Sequence, residues 1–319
     1  MVMISLAQIE TLRAEFGDRM QVNVSLKRYT AARIGGNADV MITVNSHTEL
    51  EKVARFLWKA EMPFIILGSG SNVLVSDAGM RQVVILNKAK KIVFNPQSLH
   101  PSVWVESGVN FGVLARKAAT HGLSGLEWAA GIPGTVGGAI YGNAGAHGKD
   151  MSSCLSMAKI LHRIDTNKDE QHELLQEEWP VERFKFAYRS SSLKRQPGCV
   201  VVLSAELKLS QKTPDAVQAK MDEFAGMRHD SQPGGASMGS IFKNPPGDYA
   251  GRLIEATGLK GRKIGKVEVS EKHANFFINQ DNASASDYEA LIRLVHKEVL
   301  KKQGVNLELE IELLGDWPE

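Results

Sequence analysis

Three short stretches of this 319-residue sequence hold side chains that could act on a substrate. FKFAYRSS (184–191) sets Arg189 among apolar and hydroxyl residues. A guanidinium in such surroundings is commonly a salt-bridged structural group. It is also what a carboxylate-bearing substrate needs for a bidentate pair. GSIFKNP (239–245) puts Ser240 after a glycine and ahead of the polar pair Lys243-Asn244. No G-x-S-x-G elbow surrounds it, so in isolation this hydroxyl reads as a loop cap rather than a catalyst. LELEIELLG (307–315) alternates, and strand periodicity sets Glu308, Glu310 and Glu312 on one face. A solvated strand face is the simpler reading of any one of them. The nine histidines show no H-E-x-x-H or similar spacing, His273 in EKHANFFIN has no evident metal partners, and no metal site is expected.

Two further stretches offer main chain instead of side chains. GSGSN (68–72) follows the strand-like PFIIL and presents successive N–H groups with two hydroxyls, a nest suited to a pyrophosphate. Val73 occupies the last glycine position of G-x-G-x-x-G, and Lys149 is followed by Asp150, so both common nucleotide fingerprints fail. Taken alone, GSGSN is equally well an ordinary tight turn. GIPGTVGGAIYGNAGAHG (131–148) has seven glycines in eighteen positions. Serine is absent, and Ile132, Val136, Ile140 and Tyr141 are buried types, so the stretch is no flexible linker. It reads as a wall of backbone pressed against something large and polar. Together the two stretches favour phosphate or cofactor binding over structure alone.

The elements that must position these residues alternate between helix and strand. Ser46 with Glu49 reads as a capping box ahead of Leu50, Val53, Ala54 and Leu57 at helical spacing. PFIIL (63–67), QVVIL (82–86) and SVWVE (102–106) read as strands, and Asn110 as the cap of a helix ending at Gly122. AKILHRID (158–165) and CVVVLSAELKLS (199–210) add β-rich sequence. Thr213-Pro214 opens a helix with Val217, Met221 and Phe224 on one face. Ser286 with Glu289 predicts a second capping box, its helix stopping near Gly304 before the closing strand 305–315. The division expected is a small α/β piece (1–80), a β-rich part (81–211) and an α/β C-terminal part (212–319), with no internal repeat.

Composition narrows the class further. The 38 Lys and Arg against 36 Asp and Glu give a net charge of +2, so no global field draws the chain to nucleic acid or membrane. At 43% hydrophobic and 23% charged residues the chain is an ordinary globular protein. Cys154 and Cys199 have no metal-ligand spacing; a disulfide between them is allowed, while two lone thiols fit a reducing cytoplasm better. The N-terminal MVMISLAQIETLRAEFGD lacks a signal-peptide layout and no apolar run approaches a membrane span, so a soluble, cytoplasmic protein is expected.

The order of the pieces carries a resemblance. From ARIGGNAD (32–39) through ILGSGSNVLVSDAG, the glycine-rich 131–148, YRSS, GSIFKNP, AGRLIEATGLKG and VSEKHANFFIN to LELEIELLG, the chain resembles the UDP-N-acetylenolpyruvoylglucosamine reductase (UDP-N-acetylmuramate dehydrogenase) family in its shorter, type II form. The resemblance implies an α+β, three-domain flavoprotein with the vanillyl-alcohol-oxidase-type (PCMH-type) FAD-binding fold. It implies non-covalent FAD along Arg33, along Gly68, Ser69, Gly70, Ser71 and Asn72, and along Gly131, Ile132, Pro133, Gly134, Val136, Gly137, Gly138, Ala139, Asn143, Ala144 and Gly145. Carried over in the same way, Arg189 is the catalytic arginine, Ser240 the proton donor and Glu310 the catalytic glutamate, with Tyr188, Arg228, Lys243 and Asn244 toward the substrate. NADPH would reduce the flavin first. The UDP-sugar enol ether would then take hydride at its terminal methylene carbon and a proton from Ser240. Glu310 would be paired with Arg189 or protonated.

Departures from the family pattern are Leu309 and Glu312, where the family writes proline and arginine, and His229 after Arg228, where a second arginine is common. The sequence leaves two other readings open: another FAD oxidoreductase on this fold, of the sugar-lactone or alcohol oxidase type, and a non-catalytic flavin- or nucleotide-sugar-binding regulator. Expected partners are the UDP-sugar and NADPH, with no nucleic acid and no membrane. Oligomeric state stays open, and a monomer is compatible with the sequence.

Overall fold

Most helix starts follow from local chemistry. In the computed structural model, which describes residues 4–165 and 172–317, Ser46 accepts the Glu49 N–H at 3.1 Å and opens the helix His47–Lys59. Leu50, Val53, Ala54 and Leu57 form its fully buried stripe. The reciprocal arm differs from the expected box, because the Glu49 carboxylate takes the N–H of Asn45 at 2.8 Å, one residue further back. Asn110 caps Phe111–Thr120 through the Val113 N–H at 2.9 Å, and Gly122 follows that helix with φ +65°. Pro214–Ser231 starts where Thr213-Pro214 predicts.

Compactness divides the chain into two units. One contains residues 42–68 and 84–227. Its frame is an antiparallel five-stranded sheet in the order His172–Pro180, Leu155–Asp165, Val200–Lys208, Ser102–Glu106, Ile92–Asn95. Trp128, Phe111 and Phe184 are the largest fully buried side chains of the core packed on it. Cys154 and Cys199 are free thiols, and burial pushes the Cys154 thiol up to about 12, which keeps it protonated.

The other unit contains residues 1–41, 69–83 and 228–319. Phe242, Phe277 and Tyr288 anchor its core together with Leu74, Ile34 and Ile311. A three-stranded sheet runs Lys263–Ile264, Val267–Val269, Phe277–Asn279. The chain passes between the units within the strands Asn37–Val44 and Met80–Asn87, after Gly68, and within the helix Pro214–Ser231. Among the described residues, no helix is long and apolar enough to cross a membrane.

Three expectations need correction. The glycine-rich stretch is not only irregular wall: Val136–Gly142 is a helix capped by Thr135, whose hydroxyl accepts the Gly138 N–H at 3.3 Å. The closing strand is regular only over Glu312–Leu314, where it pairs in parallel with Val73–Val75. The alternation over Leu307, Leu309 and Ile311 still turns these three toward the core. Finally, the helix Ala285–Gln303 is opened by Ser284 with Asp287, not by Ser286 with Glu289. Both pairs satisfy the capping pattern, and Asp77 decides between them. Its carboxylate accepts the N–H groups of Ala285 and Ser286 at 2.9 Å and the Ser286 hydroxyl at 2.8 Å.

Desolvation raises the Asp77 carboxyl, but these three hydrogen bonds outweigh it and hold the group below its ordinary value. A carboxylate depressed in the folded state stabilises above its unfolded pKa, and that contribution is lost as pH falls through the folded value. Asp77→Ala should therefore cost about 1–2 kcal/mol in urea unfolding at pH 7. The difference from the parent should shrink as pH drops below about 4. A pH-independent difference would mean that the carboxylate charge is not what holds this helix start.

Candidate active site

The turn that carries Arg189 is held against the glycine-rich segment. Ala187 and Ser190 exchange main-chain bonds at 2.9 and 3.0 Å, leaving Tyr188 and Arg189 at the tip. Arg189 adopts φ +52°, a left-handed conformation that costs a non-glycine residue roughly 1–2 kcal/mol. Its guanidinium lies over the Tyr188 ring, 5.3 Å from the centroid. Two buried side chains clamp this turn to the end of the helix Val136–Gly142. The Ser191 hydroxyl donates to the Tyr141 carbonyl at 2.6 Å. Asn143, the left-handed cap at φ +45°, donates from its amide to the Ala187 carbonyl and to Asp150, both at 3.0 Å. The same amide accepts the Ser152 N–H at 3.3 Å. Both amide hydrogens of Asn143, a residue expected beside the cofactor, thus serve the chain itself.

At its other end the same helix meets the strand Phe64–Leu67. A Cβ on Gly68 would stand 2.5 Å from the Thr135 Oγ1, so only glycine lets the strand end against the cap. The N–H groups of Val136 and Gly137 donate to Val109 and Ser107 at 2.9 and 2.8 Å, and a Cβ on Gly137 would meet Ser107 at 3.0 Å. Gly137 is therefore explained by its own chain. Gly138 is not: it is exposed, and a Cβ there would come no closer than 3.5 Å to a described residue. Gly142 likewise has nothing described within 4 Å of a built Cβ. Glycine is the poorest ordinary helix former, by up to about 1 kcal/mol against alanine. Its use at Gly138 points to something outside the chain lying against the main chain. Of the other expected wall residues, Gly131 and Gly134 have φ of +76° and +129°, Ile132 and Ala144 pack against the core, and Gly145 sits in a tight hairpin with Asp150. Ala139 and Val136 are buried, and Pro133 is exposed.

The other unit brings Ser240 and Glu310 together from positions far apart in sequence. Ser240 bridges Phe276, and the Ile241 N–H donates to the Asn275 carbonyl at 2.9 Å. On the opposite side, the Glu310 N–H donates to the Ile241 carbonyl at 2.8 Å, and Phe242 bridges Leu309. Segment 240–243 is thus the middle of three short extended pieces. Asn275, 2% exposed, locks it: its amide oxygen accepts the Phe242 N–H at 2.9 Å and its nitrogen donates to the Phe242 carbonyl at 2.8 Å. Next to it, desolvation of His273 lowers its pKa and favours the neutral ring, whose Nδ1 accepts the Asn275 N–H at 3.2 Å. Asn275 carries no role in the motif reading. A lone amide among Ala274, Phe276 and Phe277 was the available signal, since a buried amide has to be hydrogen-bonded.

GSGSN contributes to this same unit from Ser69 onward. Gly70, at φ +58°, approaches so closely that a Cβ would fall 2.0 Å from the Tyr29 carbonyl, and its own carbonyl accepts the Ala31 N–H at 2.9 Å. Ser69 is exposed and Ser71 half-buried beside it. Exposed Arg33, at φ +56°, stands in the loop so held, which Thr30 closes through both the N–H and the carbonyl of Ile34. Asn72 donates its amide to the Glu310 carbonyl at 3.0 Å. Of the residues expected at the substrate, Lys243 pairs with Glu308 at 3.1 Å, and the Asn244 side chain accepts the Ala250 N–H at 3.0 Å. Arg228 is half-buried near the end of Pro214–Ser231, where desolvation lowers its pKa. Exposed His229 stands beside Asp230.

Comparison with known proteins decides what this arrangement belongs to. Residues 38–163 match the family model of an FAD binding domain, and residues 231–314 match that of the UDP-N-acetylenolpyruvoylglucosamine reductase C-terminal domain. The UDP-N-acetylenolpyruvoylglucosamine reductase of Staphylococcus aureus (strain Newman) is 36% identical over 303 residues, 95% of this chain and 94% of that one. The chain belongs to the UDP-N-acetylenolpyruvoylglucosamine reductase family. The corresponding reductase of Staphylococcus aureus (strain NCTC 8325 / PS 47) matches to the same extent. The solved reductase structure from Thermus caldophilus is 35% identical, with a TM-score of 0.76 over 93% of this chain and 100% of that one. The motif order thus identified the reductase family, and the fold is the α+β, FAD-binding one expected of it.

The bare main chain at Gly138 fits a flavin better than any glycine demanded by internal packing. Gly138→Leu should weaken FAD binding by about 1–3 kcal/mol, the usual cost of overfilling a packed contact. The melting temperature of the flavin-free protein should stay at or above the parent's. Gly137→Leu should lower both, because it collides with Ser107. Full flavin retention by the Gly138 variant would place the flavin elsewhere.

Proposed function

We propose that Arg189, Ser240 and Glu310 are the acting groups of an NADPH-dependent reduction of UDP-N-acetylglucosamine enolpyruvate to UDP-N-acetylmuramate, a step in peptidoglycan precursor synthesis. The observation that carries this reading is the pinning of Ser240 and Glu310 on adjacent extended segments, through Ile241, Phe242 and Asn275. A loop cap or a solvated strand face needs no such fixation. The residues that would hold FAD are the bare stretch around Gly138, residues 68–71 of the GSGSN loop and Arg33, the Asn72 side chain being engaged with the Glu310 carbonyl instead. Bound there, FAD would supply the hydride transfer from NADPH to the terminal methylene carbon of the enol ether.

The chain's own groups deal with the charge and the proton. Hydride addition pushes negative charge onto the adjacent carbon and its carboxylate. The Arg189 guanidinium holds that carboxylate through two parallel hydrogen bonds, and its preorganised turn avoids reorganisation as charge develops. The strained φ of Arg189 is what such preorganisation looks like. The Ser240 Oγ gives its proton to the adjacent carbon. A hydroxyl is a weak acid, but an enolate carbon is a strong enough base for the transfer. Glu310 in its protonated form donates a hydrogen bond toward the same charge. Arg228, Lys243, Asn244 and Tyr188 face the nucleotide-sugar, the two cations toward its phosphates. The chain works in the cytoplasm, its FAD-binding parts spanning 1–80 and 81–211 and its substrate-binding part 212–319.

Ser240→Ala should separate the half-reactions when flavin absorbance is followed anaerobically. Reduction by NADPH should proceed near the parent rate. Reoxidation by the enol ether should slow by roughly 10²–10⁴-fold, and Ser240→Cys should recover part of the loss. Reoxidation of Ser240→Ala at the parent rate with normal substrate binding would assign the proton to another group. In the same assay Arg189→Lys should slow reoxidation far more than reduction, because a point charge cannot replace the planar fork. Equal slowing of both would make Arg189 a residue of the fold or the flavin.

A further inference from the structure

Glu310 lies where the C-terminal segment changes partners. Up to Leu309 it runs against 241–243, and from Glu312 it runs parallel to Val73–Val75. At such a changeover a residue's two main-chain groups point to different neighbours, and neither ladder satisfies both. The Glu310 N–H donates to Ile241 at 2.8 Å. Its carbonyl is taken by the side-chain amide of Asn72 at 3.0 Å. The Asn72 carbonyl in turn accepts the Glu312 N–H at 2.9 Å. Asn72 therefore grips the segment on both sides of Ile311, once with its side chain and once with its main chain. We infer that Asn72 is a positioning residue for Glu310: its amide stands in for the missing ladder partner and fixes the backbone from which the Glu310 carboxyl is aimed.

This inference rests on the acting role given to Glu310 above, and it assigns the Asn72 side chain a task other than contact with the cofactor. Its chemistry is specific. Only a donor at this position satisfies a carbonyl, so Asn72→Asp, of the same shape, removes the bond and sets a carboxylate oxygen against the Glu310 carbonyl. Asn72→Ala removes the bond without the repulsion. A misplacement of about 1 Å at a reacting group can cost on the order of 10²-fold in rate.

The test uses the FAD-loaded protein and four readings: flavin content, melting temperature, reduction by NADPH and reoxidation by the enol ether. Both Asn72 variants should retain flavin and be reduced by NADPH within about twofold of the parent, the range in which independent sites leave each other alone. Their reoxidation should be slowed about 10- to 100-fold, with substrate affinity nearly unchanged, and Asn72→Asp should be the slower at neutral pH. In a Glu310→Ala background, Asn72→Ala should add less than about twofold, because the group it positions is already lost. A loss as large in that background as in the parent would overturn the inference. So would flavin loss or slowed reduction in parallel with slowed reoxidation, or a lowered melting temperature with parental reoxidation. If Glu310→Ala alone reoxidises at the parent rate, the role given to Glu310 fails, and the inference fails with it for that separately visible reason.

Discussion

The candidate site is built from irregular backbone, and buried irregular backbone must still find hydrogen-bond partners. A strand or helix supplies them by repetition. A turn, a changeover between strands or a helix end does not, and an unpaired buried group costs about 1–3 kcal/mol. Here asparagine amides supply what the ladders lack. Asn275 pairs with both main-chain groups of Phe242, Asn143 ties the Arg189 turn to a helix end, and Asn72 takes the Glu310 carbonyl. Asn279 does the same for the Arg33 loop, donating to the Ala32 carbonyl at 2.9 Å. An amide suits the task because it carries donors and an acceptor without charge. An ionised carboxylate could accept the Phe242 N–H but donate none of the other bonds, and it would add an unwanted charge.

Missing side chains are the second half of the same design. Gly68 and Gly70 bring main chain to within a distance that no Cβ tolerates, against Thr135 and Tyr29 respectively. Those contacts tie Gly68 and Gly70 each to another part of the unit it belongs to. Glycine carries a conformational-entropy cost, and here it is offset by fixing loops that would otherwise wander. Glycines in the 131–148 stretch thus have two different reasons. Gly137 and Gly145 are required by neighbours within the chain, whereas Gly138 leaves main chain bare toward solvent.

Much of this was legible before any coordinates. Helical spacing behind Ser46 and Asn110, the proline at the start of 214–231, and the alternation of Leu307, Leu309 and Ile311 each rest on a periodicity that tertiary packing did not override. What could not be read lies where two local patterns compete or where the partner is remote. Ser284 and Ser286 both begin a valid capping pattern, and the choice comes from Asp77, about two hundred residues away. The regular part of the last strand begins at Glu312 because Val73–Val75 is its partner, a pairing no local pattern encodes. Val136–Gly142 was hidden for the opposite reason: its glycines argue against a helix, and it forms because Thr135 caps it and Asn143 closes it. For the site, Arg189, Ser240 and Glu310 stood out through the family's motifs; Asn72 and Asn143 were expected beside the cofactor, whereas their amides are spent on main-chain carbonyls, and Asn275 has no place in the motif reading.

The positions of strain follow from this division of labour. Arg189 sits at φ +52° in a two-residue turn, a conformation glycine or asparagine would adopt at lower cost. Relaxing the turn would remove that cost, so something must forbid relaxation. The Asn143 and Ser191 bonds on either side of the tip do so, because any rotation that eased Arg189 would move Ala187 or Ser191 off a buried partner. The strain is thus held by groups that are themselves fully satisfied. In the role proposed for Arg189, a turn held in this way leaves less backbone freedom to lose when a carboxylate binds, so more of the binding interaction remains for charge that develops later in the reaction.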